Sequence, residues 1–300
     1  MKKIILCFIY LFAVSNSFCQ TVTNEDIFAT SRLKYVLGQD GVTPIEIENK
    51  QGKKMLLWTF GDTILGEWTG EITTDATMNF NDITKMNAMP PNAIALSSII
   101  NNENYKDPQL KFLLNSSGTV KQFIEYTKDE NPFALRLWAD DGIQIGNKTY
   151  VYYMIIKSSQ SDFSILGTGL ASWEMPDKWE IKDIDFKRKL DFKIKDIILG
   201  DGVIKKGKYV YILSRSEKDG KTFGYLSFAK VKAKDIENPL KYRYLNSKGK
   251  WTKKNSGKFF GDICGEASLS YNQKTKKFRI VYMSLKDQKI KMIVFDNFKN

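Results

Sequence analysis

The sequence predicts an all-β chain of repeated antiparallel sheets, the pattern of a β-propeller. Three observations carry this. Short runs rich in β-branched and aromatic residues recur along the chain: KMLLWTF, TYVYYMII, KYVYILSRS, YLSFAKV, KFRIVYMS and IKMIVF. Turn clusters separate them, among them NKQGKK, IGNK, KKGK, EKDGK and NQKTKK, as strands joined by hairpins require. No segment sustains a helical stripe. The one piece with helical character, KAKDIENPLKY, is limited to about a turn by Pro239.

In chain order, MKKIILCFIYLFAVSNSFCQ comes first. Two lysines precede an apolar block, Ile4 to Val14, too short for the roughly 20 residues of a membrane span. Ser17-Phe18-Cys19 then offers a small-residue cleavage site, so residues 1–19 read as a secretory signal cut near Cys19/Gln20. A lipid anchor on Cys19 ranks below simple cleavage. It wants a Leu-like residue three places before the cysteine and a small one directly before it, where Asn16 and Phe18 stand. The expectation is a secreted or periplasmic protein with no membrane span, residues 20–300 forming one domain. Thr69 to Asn87 is the loosest stretch and reads as a long loop. Cys264 is the one cysteine left after the signal, so no intrachain disulfide is expected. Stability must come from burial, and a chain this long can bury a large core.

The remaining order is a weak repeat. A small polar or acidic start, an apolar strand, a turn and a second apolar strand recur five times. The starts are QDGVTPIEI at Asp40, PNAIALSS at Asn92, DDGIQIGN at Asp141, GDGVIKKG at Asp201 and GEASLSYN at Glu266, spaced by 49 to 65 residues. Units of this size suggest propeller blades, whose innermost strands line a central channel. The entrances of five such strands converge at one mouth, and four of the five start residues are carboxylates. Asp-Gly before a strand is also an ordinary turn signal. The common phase, rather than any single match, favours a site.

Composition narrows the chemistry. The chain contains no histidine, which excludes Ser-His-Asp and Cys-His triads and every His-containing zinc site. Proton transfer must rest mainly on Asp and Glu, with Tyr or Lys as outside candidates. Net charge is +12. The lysines are scattered through apparent hairpin loops, so a lysine-coated soluble surface is preferred to a polyanion site, and no nucleic-acid partner is expected. Glycosidic cleavage commonly uses two carboxyls across the bond, one as acid and one as base or nucleophile. Their pKa values must be driven apart. Clustered oxygens also suit calcium, but no EF-hand-like run is present. No cofactor is expected, a structural Ca2+ being the one ion the acids could take. Trp138 and Trp68 could stack on sugar faces, whereas Trp58, Trp138 and Trp251 could equally pack between blades. Arg136 could bind a hydroxyl or carboxylate, or pair with a neighbouring acid.

The segment GQDGVTPIEIENKQGKKMLLWTFGDT resembles the opening of the family known as domain of unknown function 4185: a G-x-D-G segment, an apolar strand, a turn, and a strand ending W-x-F-G-D-T. PPNAIAL, LWADDGIQIGNKTYVYYMII, LGDGVIKKGKYVYIL, YLSFAKVKAKDIENPLKYRYLNSKGKW and GEASLSYNQKTKKFRIVYMS extend the resemblance over roughly residues 35–295. It implies a single five-bladed β-propeller, similar to the arabinanase and fructosidase clans. Some members are endo-D-arabinanases of glycoside hydrolase family 183. Acids of the first blade carry catalysis there, and the matching positions are Asp40 and Asp62. The chain ends soon after the fifth start, so the ring would have to close through the segment near residues 27–36.

The resulting expectation is a secreted glycoside hydrolase acting on a poly- or oligosaccharide, D-arabinan being one candidate. Asp40 is base or nucleophile, Asp62 its partner and Glu266 the acid. Asn92, Arg136, Trp138, Asp141 and Asp201 contact the sugar. The alternatives are a non-catalytic glycan-binding propeller and a polyanion-directed polysaccharide lyase using a Tyr or Lys base.

Overall fold

The computed structural model describes residues 36–66, 86–101, 108–159, 162–192, 197–216, 224–254 and 260–298. The signal segment, Trp68 and most of the 69–87 stretch lie outside the described residues.

The predicted runs fold as strands with nearly the expected bounds. Four antiparallel units follow one another. The first is β2 (Val42–Glu48), β3 (Lys54–Phe60), β6 (Ala93–Ser97) and β7 (Lys111–Phe112). The second is β8 (Leu135–Ile145), β9 (Lys148–Ser159), β10 (Asp162–Glu174) and β11 (Lys187–Phe192). The third is β12 (Ile198–Lys206), β13 (Tyr209–Ser216) and β14 (Tyr225–Lys232), extended by β15 (Arg243–Leu245) and β16 (Trp251–Thr252). The fourth is β17 (Phe260–Asn272), β18 (Lys277–Ser284) and β19 (Ile290–Phe295), joined to the third where β14 pairs β17. A small sheet of β1 (Val36–Gln39), β4 (Thr63–Gly66) and β5 (Met86–Ala88) stands beside the first unit, so the expected 69–87 loop ends inside a strand. KAKDIENPLKY supplies two 3-10 turns, Ala233–Asp235 and Pro239–Lys241.

Asparagines set several turns. Asn49 Oδ1 accepts from the amides of Gln51 and Lys53 between β2 and β3, and Asn272 Oδ1 does the same for Lys274 and Thr275 between β17 and β18. These Asx contacts satisfy turn amides and leave the apolar alternation of the strands to fix register.

Each unit buries a face against the next. Ile45, Leu57 and Ile94 of the first meet Leu137, Tyr153 and Trp173 of the second. Tyr152 and Leu170 of the second meet Leu199, Val210 and Ile212 of the third. Leu213 and Phe228 of the third meet Ile263, Leu269 and Ile280 of the fourth. Val36 and Leu65 of the small sheet cover Trp58, Phe60 and Ala95 on the other face of the first unit. Trp58 and Trp251 are therefore packing residues. The first strands adjoin in sequence, β2 against β8, β8 against β12 and β12 against β17. The arrangement is all-β and propeller-like, with its hub along those four strands.

Two expectations need correction. PNAIALSS opens no blade: it is β6, third strand of the first unit, flanked by β3 and β7. Four of the five expected starts therefore belong to innermost strands, and no closed ring of sheets is present among the described residues. Second, the acids do not all stand at strand entrances. Asp40 does, but Asp141, Asp201 and Glu266 lie inside β8, β12 and β17. Each falls at a break in register: between Ala139 and Gly142, between Leu199 and Gly202, and between Ile263 and Ala267. The repeat that the sequence shows as acid-plus-small-residue is a repeated bulge, a device that re-aims side chains.

Candidate active site

The bulges turn carboxyl groups toward the hub. A cavity of about 400 Å³ is lined by Asp40, Gly41, Gly61, Trp138, Arg215 and Glu266, among others. A second cavity of about 580 Å³ shares Gly41, Ala139 and Glu266 with it, and adds Asp140, Asp141 and Asp201. Glu266 thus stands between the mouth and the channel behind it.

Asp40 is exposed, and its backbone is fixed on both sides: its amide donates to Asp62 O (2.8 Å) and its carbonyl accepts from Gly61 N (2.7 Å). Its Oδ1 accepts from the next amide, Gly41 N, at 2.9 Å. Gly41 has φ +51°, and a Cβ there would lie 2.6 Å from Glu266 Oε1. Only glycine lets the Asp40 turn and the Glu266 carboxyl approach this closely.

Behind Glu266 lies a buried charge cluster that sequence reasoning missed in part. Arg215 is 6% exposed. Its Nε sits 2.9 Å from Asp201 Oδ1, and its Nη1 donates to Gly265 O at 2.8 Å. It thereby ties Asp201 to the peptide that carries Glu266. Asp140 is also 6% exposed, and its Oδ2 has no hydrogen-bond partner among the described residues. Asp141 accepts from Gly142 N (2.7 Å) and Val203 N (2.6 Å), fastening β8 to β12.

These carboxyls cannot all ionise beside one guanidinium. Burial pushes Asp140 well up, Arg215 opposing and Asp201, Glu266 and Asp141 adding to the rise. Burial raises Asp141 to about 7 against its two backbone hydrogen bonds. It raises Asp201 to about 6 against Arg215, with Glu266 adding to the rise. Burial also raises Glu266, against Arg215 and with help from the charge of Asp40. The site therefore contains an exposed carboxylate next to a carboxyl biased toward its protonated form.

The other expected residues are elsewhere. Asp62 does not line the cavity. Its Oδ1 accepts from Arg136 Nε at 3.0 Å and also pairs with Arg136 Nη2, which bonds to Met89 O at 2.8 Å. This corrects the expectation that Asp40 and Asp62 face one substrate: they share a backbone turn, while the Asp62 side chain turns to Arg136. Asn92 is fully buried, so the expected sugar contact is corrected as well. Its Oδ1 accepts from Phe123 N and Ile124 N, both at 2.9 Å, and its Nδ2 donates to Leu137 O at 2.9 Å. Trp138 does line the cavity. Among the described residues, no group of three or more His, Cys, Asp or Glu is placed to hold a metal ion. No helix among them is long and apolar enough to cross a membrane.

Stacked antiparallel sheets with a carboxyl-lined hub define an all-β, propeller-like protein. The sequence profile of the family described as "Domain of unknown function (DUF4185)" matches residues 41–300, and the chain belongs to that family. No curated protein sequence matches it significantly. Among solved structures, it is similar to a protein from Bacteroides ovatus ATCC 8483 provisionally designated a hydrolase. That similarity has a TM-score of 0.62 at 15% identity over 90% of this chain and 69% of the other, a likeness of fold. More distant is a GH43_1 enzyme from Xanthomonas citri complexed with xylose (TM-score 0.46, 13% identity, 91% and 76% covered). So is an α-L-arabinanase from Cellvibrio cellulosa complexed with arabinohexaose (0.42, 12%, 84% and 71%).

Proposed function

We propose that the protein is a secreted glycoside hydrolase that cleaves a polysaccharide with Asp40 and Glu266. The observation that carries this is the shared cavity. An exposed acid at the entrance of β2 and an acid at the β17 bulge whose pKa is raised by burial line the same space, with Trp138 on its wall. Cleavage needs one carboxyl that donates a proton to the leaving oxygen and one that stays ionised to activate water or attack carbon. Glu266 suits the first role and Asp40 the second. Trp138 offers an apolar face to a sugar ring. Arg215 acts behind them by holding the Gly265 peptide, while burial and the charge of Asp40 raise Glu266 against the opposing Arg215.

Export through cleavage of residues 1–19 and a ring of five blades belong to the same reading. The far face of the fourth sheet supports the ring. Val281, Met283, Ile290, Met292 and Val294 are all exposed there, where one more sheet would stack as the others do. D-arabinan, through the family resemblance, is one candidate substrate.

The test incubates the mature protein with plant, algal and mycobacterial polysaccharides and follows released oligosaccharides by mass spectrometry and by the anomeric configuration of the new ends. Release of saturated oligosaccharides supports the reading. Unsaturated products absorbing in the ultraviolet would show a lyase, and binding without release would show a lectin-like propeller.

A further inference from the structure

The carboxyl cavity has a neighbour on the same strand. Trp138 lines it, and Arg136, two residues earlier on β8, lines a second groove of about 480 Å³ together with Gln122, Tyr126 and Phe133. Residues two apart on a strand share a face, about 6.7 Å apart along it. Leu137 between them is buried in the core on the opposite face. Gly61 and Asp62 bridge the cavities in the same way, Gly61 lining the first and Asp62 holding Arg136 of the second. The two spaces therefore open on the same face of β8, two residues apart, with Gly61–Asp62 between them.

The groove is built for a saccharide. Phe133 is 92% exposed, the most exposed large hydrophobic side chain among the described residues. Such a ring, on the rim of a groove that mixes apolar residues such as Pro91 and Val120 with Gln122 and Arg136, can stack on an occupant that has an apolar face. Arg136 is held by Asp62 and by Met89 O through Nε and Nη2, which leaves Nη1, among the described residues, for a ligand hydroxyl. The hydroxyl of Tyr126 is committed to Leu135 O at 2.8 Å, fixing the loop that carries the groove wall to the start of β8. A ligand with alternating apolar faces and hydroxyl edges matches this pairing of a bare ring with a fixed donor.

We infer that a glycan chain entering the Asp40–Glu266 cavity continues into the Arg136 groove and rests on Phe133, so that the protein takes internal stretches of a polymer rather than single terminal sugars. This rests on the glycan reading of the site. It makes Phe133 and Arg136 specificity-determining residues and explains the Asp62–Arg136 pair as the clamp that presents the donor.

The test measures binding by calorimetry to xylo-, arabino- and β-gluco-oligosaccharides of two to six units, for the wild-type chain and for Phe133→Ala. Affinity of the wild type should climb with length to at least four units for one of the three series. Phe133→Ala should lower the longest members' affinity about tenfold, from the apolar area lost, and leave the disaccharide and the melting temperature unchanged. Length-independent wild-type binding, or equal loss at every length in the variant, overturns the extended cleft while leaving the glycan site standing. Absence of length-dependent binding in all three series, and in oligosaccharides of any polysaccharide the wild type degrades, overturns the extended cleft, whereas the glycan reading falls only if the polysaccharide panel is also neither bound nor cleaved.

Discussion

Asn92 shows how much chemistry a single buried side chain can absorb into structure. Its amide satisfies two backbone N–H groups and a carbonyl near 2.9 Å. Replacing it strands those groups, at about 1–3 kcal/mol for each unsatisfied one. Asn92→Ala should therefore lower unfolding free energy by about 3 kcal/mol in chemical denaturation. The carboxyls behave differently. Asp141 and Asp201 hold their protons more tightly folded than unfolded, to about 7 and about 6, and Asp140 shares the direction. Below the unfolded carboxyl value, near 4, their full contribution to stability is present. It is lost as pH rises through the folded values. The melting temperature should fall between about pH 4 and pH 7, and Asp140→Asn, which removes one buried titrating group without changing shape, should flatten that fall.

The strands carry the parts of the account that were legible beforehand and the parts that were not. KMLLWTF and IKMIVF match β3 and β19 because their apolar runs are bounded by turn residues. Asp40 and Glu266 are recognisable from the common phase of the repeat, and Trp138 only as an aromatic able to stack on a sugar or to pack between blades. A bulge has no period of its own, so Asp141, Asp201 and Glu266 read as strand entrances when they lie within strands. PNAIALSS copies the apolar signature of an inner strand although it is the third, since a strand covered on both faces looks the same at either place. Asp140 was visible only as the first half of a doublet. Arg215 was visible only as a charge closing the run YVYILSRS; its partner Asp201 lies fourteen residues away, across the β12–β13 hairpin. The Gly that follows the acid has a separate duty in β12. A Cβ on Gly202 would lie 2.5 Å from Leu269 Cβ and 2.6 Å from Leu269 N, where β12 meets β17. Gly202→Ala should cost about 1–3 kcal/mol through overpacking, visible as a lower thermal midpoint.

Across the whole molecule, the sheets stack face to face and leave their first strands side by side at a hub. That placement brings residues more than 200 positions apart, Asp40 and Glu266, into one cavity. The lysine-rich surface plays a quieter part. Lys206 lies over the rings of Tyr271 and Phe278, and Lys230 over Trp251, at 4.2 to 4.7 Å from the centroids. Their ammonium nitrogens sit over the ring faces as cation–π contacts, so part of the positive charge serves packing. The acids gather at the hub and these lysines dress the strands around it, a separation compatible with a neutral glycan as partner.

The central claim is that Asp40 and Glu266 act as a catalytic pair. It is tested most directly by comparing the wild type with Asp40→Asn and Glu266→Gln on the polysaccharide that the wild type degrades, with melting temperatures recorded for all three. Each variant should lose about 10²- to 10⁴-fold in turnover while melting within a few degrees of the wild type, and loss of Glu266 should remove the high-pH limb of the pH–rate profile. Wild-type turnover retained in either folded variant would contradict the account.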